Sequence, residues 1–343
     1  MRDDDTLLST PGLEFGSGVI GICDICHTRQ AVIVLQKERF QLCVTDFLNK
    51  TFVNSKATPG RPTPPYRSER VWYLTDATST GKAPAVVLTP TKLSKHPTVL
   101  ITPDIYGLTT TTLDAAIRFA REGFEVLLPD VGKTSGVGPA DHLSLRAGGL
   151  FGGAVTVTGS RVQHLVRLYA DGLRYLRGRE MVDPARTGVF GSSYGGSLAV
   201  ALAGADRQLS ALALAYPIPV RPVDFMKLVT APILVVRGSG DRRAAAAVRQ
   251  LEAAAGRQEI TLETAEFPGV GHQFLARDLR AYDLAQAEAA WTRVLAFFRA
   301  RLLPAPPKPP VKPAAAPAPA VPPAAPASPA PAPAPTPVPG TPA

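Results

Sequence analysis

The chain of 343 residues has three cysteines, an odd and small number that argues against a disulfide framework. It has no run approaching the ~18 apolar residues of a membrane-spanning helix, so no membrane association is expected. It also has no dense run of lysine and arginine. The formal net charge of +9 is spread over scattered arginines such as Arg161, Arg167, Arg174, Arg177, Arg179 and Arg186. That pattern reads as a solvated surface, and no nucleic-acid partner is expected. The start, Met1-Arg-Asp-Asp-Asp5, is acidic and lacks the apolar core of a secretion signal, so a cytoplasmic location is the expectation. No internal repeat is visible in the central region.

Composition then divides the chain. Residues 304–343 are almost wholly proline and alanine and hold 18 of the 35 prolines. Proline removes backbone donors and alanine offers little to bury, so a disordered tail of polyproline II character is expected. A second proline-rich stretch at 54–67 reads as a stiff linker. The expected order is a flexible start (1–18), a small cysteine-bearing module (19–53), the linker (54–67), one large α/β domain (68–303) and the tail (304–343).

The stretch Gly191-Ser-Ser-Tyr-Gly195 fits G-x-S-x-G. It stands between an apolar run, Thr187–Phe190, and a helix-like run, Gly196–Ala203. A strand, a sharp turn and a helix form the context of a nucleophile elbow, in which Ser193 is lifted above the sheet edge. The flanking glycines suit a turn too tight for side chains at 191 and 195. The helix that follows points its N-terminus at the charge that develops in acyl transfer. The plain alternative is a Gly/Ser turn of any α/β protein.

A second apolar strand, Pro232–Val236, runs into Arg237-Gly-Ser-Gly-Asp241, and a third signal, Glu266-Phe-Pro-Gly-Val-Gly-His272, sets a histidine after a glycine-rich loop. A serine hydroxyl is a poor nucleophile until a base takes its proton, the role open to His272. Asp241 would fix the imidazole tautomer and stabilise its protonated form. Taken singly, Asp241 reads equally as the cap of the helix expected over Arg242–Ala255, and His272 as a loop histidine. The order Ser, Asp, His is that of α/β-hydrolases.

From about Arg70 to Leu303 the chain resembles the dienelactone hydrolase family of α/β-hydrolases. The matching pieces are Thr98–Leu108, Phe119–Asp130, Val189–Gly196, Asp241 and Phe267–Phe274, with steps of 48 residues from Ser193 to Asp241 and 31 to His272. The resemblance implies an α/β-hydrolase fold with a mostly parallel sheet flanked by helices. It places an oxyanion hole at the backbone N–H groups of Tyr194 and Ile105, and implies no organic cofactor. The chain departs from the family's best-known members in having serine at 193 where they use cysteine, and Asp104 where they carry a glutamate that controls the thiol. A histidine-activated serine has no need of that control, so Asp104 reads as a polar wall or a loop cap. The family's substrate-holding arginines lack clear counterparts. Arg146 and Arg277 lie in the right neighbourhoods, with the spacing around Arg277 off by about one residue, and the dienelactone substrate is not implied.

All three cysteines fall within 21 residues. Cys23-Asp-Ile-Cys26 has knuckle spacing; a strand (Ala31–Leu35), a polar turn and a return strand (Phe40–Leu42) follow, and Cys43-Val-Thr-Asp46 opens a short helix. The arrangement resembles a treble-clef zinc finger and predicts a structural Zn²⁺ on Cys23, Cys26, Cys43 and Asp46, with His27 as the alternative fourth ligand. Four protein ligands would leave no open site for chemistry. A c-type haem attachment, a redox dithiol and unliganded core cysteines are the competing readings.

The expected activity is hydrolysis of a carboxylic ester or lactone through a Ser193 acyl-enzyme. One rival is a non-catalytic scaffold whose zinc module and tail bind a protein partner. A peptidase or acyltransferase on the same triad is the other. Substrate choice would rest with the loop Gly132–Gly159.

Overall fold

The computed structural model describes residues 65–303, except 93, 105–106, 131–154, 157–159, 222–227, 257–259 and 278. It also describes the backbone of short strands between residues 13 and 42. The cysteines, Asp46, His27, Ile105, Arg146 and the tail lie outside the described residues, as does most of the loop Gly132–Gly159. Among the short strands, Ile33–Leu35 pairs antiparallel with Leu13–Phe15 and with Phe40–Leu42.

One eight-stranded sheet organises the remainder. Its strands, in chain order, are β1 (Tyr66–Leu74), β2 (Lys82–Pro90), β3 (His96–Thr102), β4 (Glu125–Pro129), β5 (Val182–Ser192), β6 (Ala211–Ala215), β7 (Ile233–Gly238) and β8 (Leu262–Phe267). They lie side by side as β8-β7-β6-β5-β3-β4-β2-β1. Strands β3 to β8 run parallel, and β2 is antiparallel to both β4 and β1. Strand β1 begins two residues before the expected domain boundary. The Pro65 carbonyl still accepts a hydrogen bond from Thr91 N–H at 2.9 Å. A proline lacks a donor but not an acceptor, which suits the start of an edge strand.

The helices are α1 (Thr110–Arg121), α2 (Ser160–Arg177), α3 (Tyr194–Ala205), α4 (Arg242–Ala255) and α5 (Leu284–Leu302). They cover the sheet on both faces, which is why its central strands are apolar throughout rather than alternating. On one face Phe119 of α1 meets Phe298 of α5 edge-on at 4.8 Å, and Phe190 of β5 lies 5.1 Å from Trp291. The opposite face gathers Leu168, Leu173 and Leu176 of α2, Leu198 and Leu202 of α3, and Val248 and Leu251 of α4 around Val189, Leu212 and Val235. Consecutive residues Val189 and Phe190 thus enter different cores, as the two-residue period of a strand requires. Strand β5 sits between β3 and β6, so whatever follows Ser192 emerges at the middle of the sheet's C-terminal edge. Among the described residues, no helix is long and apolar enough to cross a membrane.

Candidate active site

The turn after β5 carries Ser193 at φ 51°, ψ −119°, directly before the first residue of α3. Left-handed backbone at a residue other than glycine costs about 1–3 kcal/mol and persists only where the surroundings fix it. They do so here. Ser193 N–H donates to the Ala215 carbonyl at 2.9 Å, and Thr102 Oγ1 donates to the Gly195 carbonyl at 2.8 Å. A Cβ at Gly195 would lie 2.1 Å from the Thr102 carbonyl oxygen, and one at Gly191 would lie 2.4 Å from Thr102 Oγ1. The elbow and the end of β3 are packed so closely that only glycine fits at both positions.

Asp241 stands at the end of β7 as the N-cap of α4. Its Oδ1 accepts from Arg243 N–H and Ala244 N–H, each at 3.0 Å. Its Oδ2 lies 2.6 Å from His272 Nδ1. One oxygen thus caps the helix and the other meets the imidazole. Burial pushes the Asp241 carboxyl up. The hydrogen bond and charge of His272, with the two backbone donors of α4, outweigh it, so the group is held below its ordinary value. An ionised carboxylate only accepts hydrogen bonds. The neutral imidazole then carries its proton on Nδ1, which leaves the Nε2 lone pair directed at Ser193. Ser193 Oγ lies 2.9 Å from that Nε2.

The loop before His272 reaches this position because β7 ends in glycine. A Cβ on Gly238 would come within 2.3 Å of the Val270 carbonyl oxygen and 2.7 Å of that of Gly271. Gly240 N–H donates to the Val270 carbonyl at 3.0 Å, and Gly269 N–H donates to Ser239 Oγ at 3.1 Å. The segments Gly-Ser-Gly-Asp and Gly-Val-Gly-His are thus stitched to each other. Tyr216, at the end of β6 with φ 39°, backs the imidazole edge-on at 5.2 Å.

Ser193 and Asp241 are each 4% exposed, and the His272 side chain is 24% exposed. The hydroxyl and the carboxylate are shielded, and the imidazole is the group open to solvent. Tyr194, the first residue of α3, follows Ser193 at the positive end of the helix dipole. Ile105 lies outside the described residues.

Several features here carried no sequence signal. Thr102 buttresses the elbow from β3. Gln273, directly after His272, has φ 64° and donates from Nε2 to Asp104 Oδ2 at 2.8 Å. Asp104 is therefore a polar partner of the histidine loop. Arg277 is turned toward protein carboxylates. Its guanidinium lies 3.6 Å from Glu288 and 3.9 Å from Asp114. Arg118 bridges the same two residues, at 2.7 Å to Asp114 and 2.5 Å to Glu288. Among the described residues, no group of three or more His, Cys, Asp or Glu side chains is arranged to hold a metal ion.

Sheet order, covering helices and a strained serine turn at the end of β5 define an α/β-hydrolase fold. The chain belongs to the dienelactone hydrolase family, whose model matches residues 83–302, and with it to the carboxylic ester hydrolases. A Bradyrhizobium protein named "Probable 2-oxo-3-(5-oxofuran-2-ylidene)propanoate lactonase" is 26% identical over 233 residues, covering 64% of this chain and 89% of the relative. The crystal structure of a dienelactone hydrolase-like promiscuous phosphotriesterase from metagenomic libraries superposes with a TM-score of 0.57 at 20% identity, over 69% of this chain and 98% of the other. The dienelactone hydrolase of Anabaena variabilis gives a TM-score of 0.50 at 15% identity, over 69% and 99%. At these identities the two solved structures speak to the fold alone.

Proposed function

We propose that the protein hydrolyses a carboxylic ester or lactone through a Ser193 acyl-enzyme. The observation that carries the reading is the continuous line from Ser193 Oγ to His272 Nε2 at 2.9 Å and from His272 Nδ1 to Asp241 Oδ2 at 2.6 Å. Ser193 Oγ attacks the carbonyl carbon while His272 Nε2 takes its proton. The tetrahedral oxyanion rests on the backbone N–H of Tyr194 and, by family position, that of Ile105. Losing one such donor typically costs about a hundredfold or more in rate. His272 then returns the proton to the departing alkoxide; in a lactone this is the ring oxygen, and the alcohol stays attached to the acyl group. Water attacks the acyl carbon while His272 takes its proton; the acyl–Oγ bond then breaks, His272 returns the proton to Ser193 Oγ, and the acid leaves. Asp241 holds the imidazole and stabilises its charged form throughout.

The lactonase name of the Bradyrhizobium relative favours a lactone or ester over a peptide. The test is hydrolysis of chromogenic acyl esters by the full chain and its loss in Ser193→Ala. A chain that cleaves no ester or lactone of any acyl length would overturn the reading.

We also propose a structural zinc on Cys23, Cys26, Cys43 and Asp46, supported by ligand spacing alone. A protein partner for this module and the tail belongs to the same proposal. Elemental analysis of the full chain, purified reduced and without chelator, should give one zinc per chain. Finding no zinc would refute it.

A further inference from the structure

Gln273 is where the backbone and the side chain both do something unexpected. It follows His272 directly and holds φ 64°, a conformation glycine adopts freely and glutamine rarely does. A glutamine kept there needs a reason in its side chain. That side chain reaches 169 residues back along the sequence, where its Nε2 donates to Asp104 Oδ2 at 2.8 Å. Each end of the bond sits in a turn. The Gln273 carbonyl accepts from Ala276 N–H at 2.9 Å, and the Asp104 carbonyl accepts from Gly107 N–H at 2.8 Å.

The first turn leaves the imidazole. The second leaves β3, immediately after Thr102 and Pro103, whose carbonyl oxygens lie against Gly195 of the elbow. It also contains, in sequence, the family's second oxyanion position. The bond therefore joins the loop of the base to the segment beside the nucleophile.

We propose that Gln273 is a positioning residue: through Asp104 it fixes the His272 loop against the segment following β3, so that base and nucleophile keep one geometry. This rests on the serine-hydrolase reading above. It assigns a use to Asp104 that does not involve activating the nucleophile. The side chain acts through His272 and need not touch substrate. Its loss should lower kcat more than it alters KM, because misplacement of a reacting group by about 1 Å is worth up to about a hundredfold in rate.

Three variants test it. Gln273→Glu sets a carboxylate against the Asp104 carboxylate and removes the donor. Its kcat should fall about tenfold or more at neutral pH, with KM changed less than about threefold, and its deficit relative to the parent at the same pH should narrow as pH falls and one carboxyl is protonated. Adding Asp104→Asn to it restores a complementary pair with donor and acceptor exchanged, and should return most of the lost kcat. Gln273→Gly relieves the backbone while deleting the bond. Its unfolding temperature should hold or rise while kcat falls, a divergence that a purely structural role does not produce.

A Gln273→Glu enzyme as fast as the parent, or an exchanged pair no faster than Gln273→Glu alone, overturns the proposal. Reaction of the parent chain with a fluorophosphonate at Ser193 is read in parallel. A labelled parent with unresponsive Gln273 variants refutes this inference alone, and an unlabelled parent refutes the serine-hydrolase reading beneath it.

Discussion

His272 Nδ1 lies 2.6 Å from Asp241 Oδ2, while the other oxygen of the same carboxylate caps helix α4. One side chain thus joins the site to the scaffold, and the two duties are separable by substitution. Asparagine caps helices nearly as well as aspartate, but an amide in this position favours the wrong imidazole tautomer. Asp241→Asn should keep its unfolding midpoint close to that of the parent and lose about three to four orders of magnitude in kcat. Asp241→Ala should lose the activity and also about 0.5–2 kcal/mol of stability. Thermal melts beside ester kinetics distinguish the two. Equal stability losses in both variants would mean that the cap is not what Oδ1 provides.

Gly238 should also prove sensitive to substitution. An alanine there would drive its Cβ against the Val270 and Gly271 carbonyls, which carry the chain into His272. The loop must shift, so Gly238→Ala is expected to lower kcat by about a hundredfold or more and stability by about 1–3 kcal/mol. Gly256, in the right-handed region at the end of α4, where an added Cβ would lie 3.4 Å from the Glu252 carbonyl oxygen one turn back, is the control. Gly256→Ala should leave kinetics and denaturant midpoint near those of the parent.

His96 should couple stability to pH. It is buried at the start of β3. Burial first, and the nearby Lys92 second, hold its pKa below the ordinary histidine value. The unfolded chain, titrating near ~6.5, therefore binds more protons than the folded chain as pH falls, and folding loses stability in that direction. Above that value the contribution of His96 is flat. Unfolding midpoints taken at pH 8 and at pH 5 should fall further in the parent than in His96→Gln. Parallel slopes would show that His96 is not the group responsible.

Much of the site was legible because its backbone demands are severe. Gly191 and Gly195 stand where any Cβ would strike β3, and Gly238 where one would strike the histidine loop. Such demands leave marks in a sequence. Helix α4 was legible over Arg242–Ala255 because an aspartate cap precedes a run of good helix formers. The strand order β5-β3-β4-β2 was not read, since apolar periodicity does not say which strand lies beside which. The Gln273–Asp104 bond left no mark, because it joins two polar residues far apart in the chain and rests on a left-handed φ that glutamine does not advertise. Arg277 was read as an insecure match to the family's substrate-holding arginines, and its partners Asp114 and Glu288 come from α1 and α5, which only the tertiary fold brings to it. The proline-rich segment was read as linker up to 67 because missing donors are visible in sequence, and the pairing of Tyr66 with Pro90 is not.

The central claim is that Ser193, activated by His272, is the nucleophile. Peptide mass spectrometry after reaction of the full chain with a fluorophosphonate tests it most directly, with Ser192→Ala and Ser193→Ala run beside the parent. Ser193 holds the apex of the elbow and faces the imidazole at 2.9 Å. The account predicts a single adduct on Ser193 in the parent and in Ser192→Ala, and no adduct in Ser193→Ala. Ester hydrolysis in Ser193→Ala should fall by several orders of magnitude. An adduct on another residue, or hydrolysis that survives in Ser193→Ala, would contradict it.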